Sequence, residues 1–86
     1  MTDNLMKQYE GKYVMDNITV SFLLRDHQLI EVIPGGLELN LYAESEDTFY
    51  PDNFNVTVHF IKDENGIFTN ALIHEHGKDY IFRRTR

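Results

Sequence analysis

Cysteine is absent from this 86-residue sequence, and basic residues are few. Without cysteine the chain can form no disulfide bond, and it offers no thiolate to a metal ion. Eight lysines and arginines stand against 14 aspartates and glutamates, which gives a net charge of −6. A chain of this charge repels the phosphates of nucleic acids, so we expect no nucleic-acid partner.

Long apolar runs are also lacking. No stretch approaches the roughly 20 residues that a membrane-spanning helix needs, so we expect no membrane partner. Residues 1–4 lack the basic and apolar regions of a signal peptide. If the parent protein is exported, its signal is expected outside this sequence, and the compartment stays open. The length corresponds to one domain, residues 1–86.

Short alternating segments separated by turn residues make up most of the chain. A helical turn over residues 3–8 comes first, with Asp3 or Asn4 as its N-cap and with Leu5 and Met6 facing inward. Seven strands are then predicted at residues 11–15, 18–25, 28–33, 37–43, 54–62, 67–75 and 79–84. Because each strand has a single apolar face, we expect an all-β fold, an antiparallel meander curled into a small barrel or half-barrel.

The inner face of the third and fourth strands depends on the register of their turns. Two-residue turns send Glu31 and Glu38 outward, and the inner face then consists of Leu23, Ile30, Val32, Leu37, Leu39 and Leu41. A slip by one residue would bury Glu31 against Phe22 and Leu39, which costs desolvation energy. We therefore predict the first register, with Glu31 exposed.

The stretch Tyr9-Glu10-Gly11-Lys12-Tyr13 precedes the first strand and suggests how the barrel closes. In a closed meander the first and last strands meet, so Tyr13 is expected near Arg83 or Arg84. A guanidinium stacked on the ring would fasten this seam with about 0.5–2 kcal/mol. Gly11 would let the incoming chain lie close to the end of the barrel. The alternative is an ordinary core tyrosine beside solvated arginines.

Three segments of the sequence, in this order, resemble segments of a known domain family. They are the Tyr-x-Gly-x-Tyr stretch at 9–13, a Leu-x-x-x-Ser-x-Asp-x-Phe segment at 41–49 and a Phe-x-x-Asp-x-x-Gly hairpin at 60–66. With the terminal Phe82-Arg83-Arg84, the chain from about Leu5 to Arg86 resembles the small lipocalin-like domain at the C-terminus of serine β-lactamase-like and penicillin-binding-protein-like hydrolases. The resemblance implies an accessory domain, either excised from such a hydrolase or acting in trans.

Candidate chemical sites are sparse. The catalytic residues of those hydrolases lie in the neighbouring domain, and no Ser-x-x-Lys motif occurs in this chain. No serine or threonine has an evident base partner, so we expect no enzymatic activity from the chain itself. His74 and His76 have the i, i+2 spacing of metal ligands on one strand face, but a turn at residues 76–77 makes them more simply exposed polar residues. We expect neither a metal nor a cofactor.

The outer face of the last hairpins carries apolar residues where a solvated face should be polar. A four-residue turn at 63–66 gives outward parity to Ile61, Phe68, Leu72 and Ile81. Such a contiguous outer patch is typical of a contact surface. The alternative is that the helical turn, with Leu5 and Met6, covers this patch.

Two classes of function remain. The first is a non-catalytic accessory domain that contacts a hydrolase domain in cis or in trans, or a second copy of the chain. The second is a barrel that binds a small hydrophobic ligand in its interior. The size of the inner side chains distinguishes these two classes of function. So small a barrel is expected to be filled by Phe54, Phe60, Tyr80 and Phe82, which leaves little room for a ligand. The sequence therefore favours the accessory role.

Overall fold

The computed structural model describes residues 1–52 and 55–85, and the predicted inner position of Phe54 lies outside these residues. Within these residues, one short helix, α1 (Asp3–Lys7), precedes eight strands. The strands are β1 (Gly11–Met15), β2 (Ile18–Arg25), β3 (Gln28–Val32), β4 (Glu38–Ala43), β5 (Thr48–Pro51), β6 (Val56–Lys62), β7 (Phe68–Glu75) and β8 (Lys78–Arg84). Among the described residues, no helix has the length and apolar composition that crossing a lipid bilayer requires.

The strands form a closed antiparallel barrel in which every strand pairs with its neighbour in sequence and β8 pairs with β1. The predicted all-β meander is confirmed, with eight strands in place of about seven. The additional strand is β5, a four-residue segment that ends at Pro51. Pro51 pairs with Leu41 of β4, and a proline is tolerated there because it ends the strand.

Tight two-residue turns explain the hairpins between β2 and β3 and between β7 and β8. Arg25 pairs with Gln28 across a two-residue turn, in which Asp26 and His27 have φ angles of 51° and 65°. Two successive positive φ angles match the right-handed twist of the flanking strands. A second two-residue turn at residues 76–77 pairs Glu75 with Lys78.

The turn between β3 and β4 contradicts the predicted register. It contains three residues, with the amide of Ile33 donating to the carbonyl of Leu37 at 3.0 Å. Glu31 therefore pairs with Leu39 on one side and with Phe22 on the other, and it faces the interior. Leu23, Ile30 and Val32 alternate with the inward residues and face outward. The prediction of an exposed Glu31 was wrong because one extra turn residue reverses the inner face of β3 relative to β4.

The N-terminal segment closes one end of the barrel. Thr2, not Asp3 or Asn4, is the N-cap of α1, and its hydroxyl oxygen accepts from the amide of Leu5 at 3.3 Å. Met6 is buried in the inner core and Leu5 packs against that core, as predicted. His27 holds the start of α1 through a 2.7 Å contact between its Nδ1 and Asp3 Oδ2.

An aromatic cluster fills the half of the barrel beneath α1, which we call the closed end. Tyr9 is fully buried at its centre. Its ring contacts those of Phe49, Phe60 and Phe68 at centroid distances of 5.4, 4.3 and 4.7 Å. Its hydroxyl donates to the carbonyl of Glu46 in the turn between β4 and β5. The chain before β1 thus acts as a plug that ties α1 to the barrel core.

Candidate functional site

The opposite half of the barrel is hollow. The described residues enclose a cavity of about 420 Å³ there, which we call the cup. All eight strands contribute to its walls, and most of the lining is aliphatic, as at Val20, Leu39, Val56 and Ile73. The closed end is filled by rings, whereas the cup is lined largely by smaller branched side chains. The cup exists because the large aromatic residues are concentrated at one end of the barrel.

Two carboxylates interrupt the apolar lining of the cup. Glu31 comes from β3 and Glu75 from the end of β7. The only other polar side-chain group in the lining is the Tyr80 hydroxyl, and among the described residues no lysine, arginine or histidine lines the cup. The cup therefore has an excess of negative charge on otherwise apolar walls.

Glu31 lies at the floor of the cup. Only 4% of its surface is exposed, and the floor around it consists of the buried Val20, Ile73 and Phe82. Its strand neighbours, Phe22 and Leu39, offer no polar side-chain atom. Within residues 1–52 and 55–85, the Glu31 carboxyl group takes part in no side-chain hydrogen bond or ion pair. The group that can solvate this carboxyl must come from inside the cup.

Burial raises the pKa of Glu31 to about 7, and the negative charge of Glu75 acts in the same direction. Both causes penalise the ionised form, because the low-dielectric walls replace water and a second carboxylate repels the charge. Near neutral pH the Glu31 carboxyl group is thus divided between its acid and carboxylate forms. It can either donate a hydrogen bond to a molecule in the cup or neutralise a positive charge there.

Glu75 occupies a different depth. It is half-buried at the end of β7, where it pairs with Val56 of β6 and with Lys78 of β8. The His76-Gly77 turn follows directly, so Glu75 lies near the mouth of the cup. The two carboxyl groups therefore form one acidic position at the floor and one near the mouth.

Of the residues predicted at the seam, Tyr13, Arg83 and Arg84, the structure brings Tyr13 and Arg84 together. Tyr13 pairs with Arg84, and Val14 pairs with Arg83. The Arg84 guanidinium carbon lies 5.9 Å from the centre of the Tyr13 ring. The same guanidinium donates to the carbonyl of Phe68 at 3.0 Å and to that of Glu10. Arg84 fastens the closed end, whereas Arg83 is exposed.

The predicted outer patch is only partly placed as expected. Leu72 and Ile81 are strand partners on the outer face, where Ile81 is 50% exposed, and Ile61 is half-buried on β6. Phe68 instead points inward and is 7% exposed, so its outward placement was wrong. The cause is a β-bulge: Lys62 pairs with Phe68 while Ile61 pairs with Asn70. The helix α1 lies over the closed end and contributes Met6 to the inner core.

His27, His59 and His74 contact neighbouring side chains rather than one another. His74 Nδ1 lies 2.5 Å from Asp79 Oδ1, and His59 Nδ1 lies 2.8 Å from the hydroxyl of Thr48. His76 has a φ of 51° in the turn after β7. In the described part of the chain, no three histidine, aspartate or glutamate side chains form a group that could hold a metal ion.

Sequence reasoning missed the two carboxylates as a site. The predicted two-residue turns place Glu31 on the outer face, and the sequence singles out Glu75 only as part of the His74-Glu75-His76 stretch. The one available signal was the Pro34-Gly35-Gly36 run, because a proline and two glycines can form a three-residue loop as readily as a two-residue turn. Both of these glycines have positive φ angles, 96° and 89°.

Fold and site together define a small closed antiparallel barrel with one end plugged by aromatic rings and the other open as an acidic, apolar cup. Comparisons with protein-family models, with curated proteins and with solved structures found no match to this chain.

Proposed function

We propose that this protein binds a small, mainly apolar molecule in the cup. The observation that carries the proposal is Glu31, a carboxyl group at the floor of an apolar cavity with no protein side chain among the described residues to pair with it. The cavity volume of about 420 Å³ falls within the usual range for small-molecule sites. Apolar walls with a few polar groups are also the usual composition of such sites.

The expectation that large side chains fill the barrel favours an accessory role, whereas the concentration of stacked rings at the closed end supports ligand binding in the cup. Tyr9, Phe49 and Phe60 lie together at the closed end. The cup retains open volume beside Phe82 and Tyr80. A fully packed barrel would be more stable, so open space around a buried carboxyl group is a feature that ligand binding explains.

We propose that the chain acts by binding and not by catalysis. The described lining of the cup contains no serine, threonine or histidine that could serve as a nucleophile or its base. Glu31 and Glu75 supply acid and base groups but have no nucleophilic partner in the cup. The purified chain is therefore expected to leave β-lactam, ester and peptide substrates intact.

A neutral apolar dye, N-phenyl-1-naphthylamine, tests this proposal through its fluorescence gain on transfer from water to an apolar site. The wild-type chain should bind the dye. Leu39→Trp places a large ring in the cup and should abolish binding, whereas Asn40→Trp places the same ring one residue along the strand, on the outer face, and should leave binding unchanged. Absence of dye binding, or equal binding by the two variants, contradicts the proposal.

The accessory role remains a second candidate. The observation that favours it is the Leu72–Ile81 pair on the outer face, with Ile61 on the neighbouring strand. In this proposal the pair contacts a serine β-lactamase-like hydrolase domain, in cis or in trans, or a second copy of the chain. Ligand binding and outer-face contacts use different surfaces, so the two candidates do not exclude each other.

A further inference from the structure

Resting on the proposed function, we infer that the molecule bound in the cup carries a protonated amine on a short apolar body. The inference concerns the chemical class of the ligand and follows from the charges that face the cavity. Both carboxylates of the cup, Glu31 and Glu75, are negative when ionised, and no positively charged side chain among the described residues lines the cavity with them. Lys78 lies opposite Glu75 on β8, outside the lining of the cup, so the carboxylate in question is Glu31, whose positive partner is supplied by the ligand.

The buried position of Glu31 makes the preference for a positively charged ligand strong. An ionised carboxylate with little access to water and no protein partner is costly, and a cation brought to it through the cup offsets that cost. A primary ammonium group has three N–H donors and is small enough to reach a carboxyl group flanked by Phe22 and Leu39. Hydrogen bonds between two charged groups are stronger than those between neutral ones.

The depth of the two carboxyl groups sets the orientation of the ligand. Glu31 lies at the floor with the buried Val20, Ile73 and Phe82, and Glu75 lies near the mouth. The ammonium group enters first and contacts Glu31, and the apolar body then lies against the upper walls, at Ile18, Ile33 and Val56. Glu75 attracts the cation toward the mouth during entry.

Other ligand classes fit these groups less well. A carboxylate or phosphate ligand would bring a third negative charge into a cup that already holds two. A bare metal ion needs more protein ligands, and the described residues offer no group of three histidine, aspartate or glutamate side chains. A neutral alcohol fits the walls and can hydrogen-bond with Glu31, so it serves as the reference ligand.

Three probes of equal chain length, octylamine, octan-1-ol and octanoate, separate the contribution of the apolar chain to affinity from that of the charged group. Their affinities for the whole chain are measured at pH 8 by displacement of N-phenyl-1-naphthylamine and by calorimetry. The wild-type chain should bind octylamine about tenfold or more tightly than octan-1-ol, as expected for a charged hydrogen bond. Octanoate should bind more weakly than octan-1-ol.

The variant Glu31→Gln keeps the shape of the side chain and removes the charge. It should still bind octan-1-ol and should lose the preference for octylamine over octan-1-ol. Glu44→Gln, an exposed glutamate in the turn between β4 and β5, is the matched control and should keep that preference. Thermal melts verify that both variants fold.

Each outcome has one meaning. Binding of octan-1-ol and octylamine with equal affinity overturns the amine inference and leaves the proposed function intact. A preference for octylamine that survives Glu31→Gln overturns the role assigned to Glu31. Failure of all three probes and of the dye to bind the folded wild-type chain overturns the proposed function itself.

Discussion

The ring of Tyr9 lies almost parallel to the ring of Phe60, with 4.3 Å between their centroids and 11° between their planes. Tyr9 precedes β1, whereas Phe60 lies in β6, so this contact joins the N-terminal plug to the far side of the barrel. Burial and the nearby Asp47 and Glu46 raise the pKa of Tyr9 to about 12, which keeps its phenol protonated as a hydrogen-bond donor.

Removal of the Tyr9 side chain should destabilise the whole domain. Tyr9→Ala is expected to lower the free energy of unfolding by about 3–5 kcal/mol, because the ring is fully buried among three others. Tyr9→Phe removes only the bond to the Glu46 carbonyl and should cost about 1 kcal/mol. Thermal melts measure both, with the exposed Tyr50→Phe as a control that should change little. A Tyr9→Ala variant that melts like the wild-type chain would contradict the role of the plug.

Gly11 is expected to resist replacement because Arg84 crosses over it. Its φ angle is 138°, and a Cβ atom added there would lie 3.2 Å from Arg84 Nε. Gly11→Ala should cost about 1–3 kcal/mol of stability from backbone strain, with further loss from displacing Arg84. Gly66→Ala is the control, since its φ of 80° is also positive but no atom lies within 4 Å of the added Cβ. Equal losses in urea unfolding would show that crowding by Arg84 has no effect.

Glu31 should make the protein less stable as the pH rises. Its pKa is raised from 4.5 in the unfolded chain to about 7 in the folded one, so the folded state binds this proton more tightly. The stability that this proton contributes is fully present below pH 4.5 and is lost as the pH rises toward and through 7. Above pH 7 the free energy of unfolding is lower by about 3 kcal/mol than below pH 4.5.

The variant Glu31→Gln isolates this effect. It should melt at a higher temperature than the wild-type chain at pH 8 and at nearly the same temperature at pH 4.5. Glu38→Gln is a control of opposite sign, because the hydrogen-bonded Arg25 lowers the pKa of Glu38 and that contribution is lost at low pH. Parallel pH dependence in the wild-type chain and Glu31→Gln would show that Glu31 is not the titrating group.

Phe68 and Leu72 should respond differently to the same substitution. Phe68→Ser places a hydroxyl group in the inner core beside Tyr9 and is expected to lower stability by about 3–5 kcal/mol. The double variant Leu72→Ser, Ile81→Ser changes the outer face and should remain folded. If that face mediates contact with another domain or copy, light scattering should show weaker association for the double variant. A folded Phe68→Ser variant of unchanged stability would contradict the inward placement.

The sequence predicts the meander, most strand boundaries and the seam because these depend on local patterns. Alternation and turn residues locate β1 and β2, and a closed meander must bring Tyr13 to the last strand. β5 escaped prediction because Thr48–Pro51 follows an acidic run and ends in proline, a composition typical of a loop. It becomes a strand through pairing with β4 and β6, which are contacts that local sequence does not encode.

The candidate site could not be predicted for a different reason. The cost of burying a carboxylate argues for an outward Glu31, and that argument holds for an ordinary core. One extra residue in the turn at 34–36 shifts the register so that Glu31 points inward. The bulge beside Ile61 is also a shift of one residue, and it turns Phe68 inward. Turn length and bulges are set by the closure of the whole barrel, so they follow from tertiary contacts rather than from periodicity.

Closure of β8 onto β1 also determines how this protein can meet other chains. Within the part of the chain that the structure describes, each strand has a neighbour on both sides, but β8 meets β1 through only two residue pairs, Tyr13–Arg84 and Val14–Arg83. Backbone hydrogen bonding to an added strand is the usual route to amyloid-like stacking and to peptide capture by sheet extension, and opening of this short ladder would expose the edges of β1 and β8 to it. Loss of the Arg84 guanidinium should therefore appear first as a tendency to form β-rich aggregates.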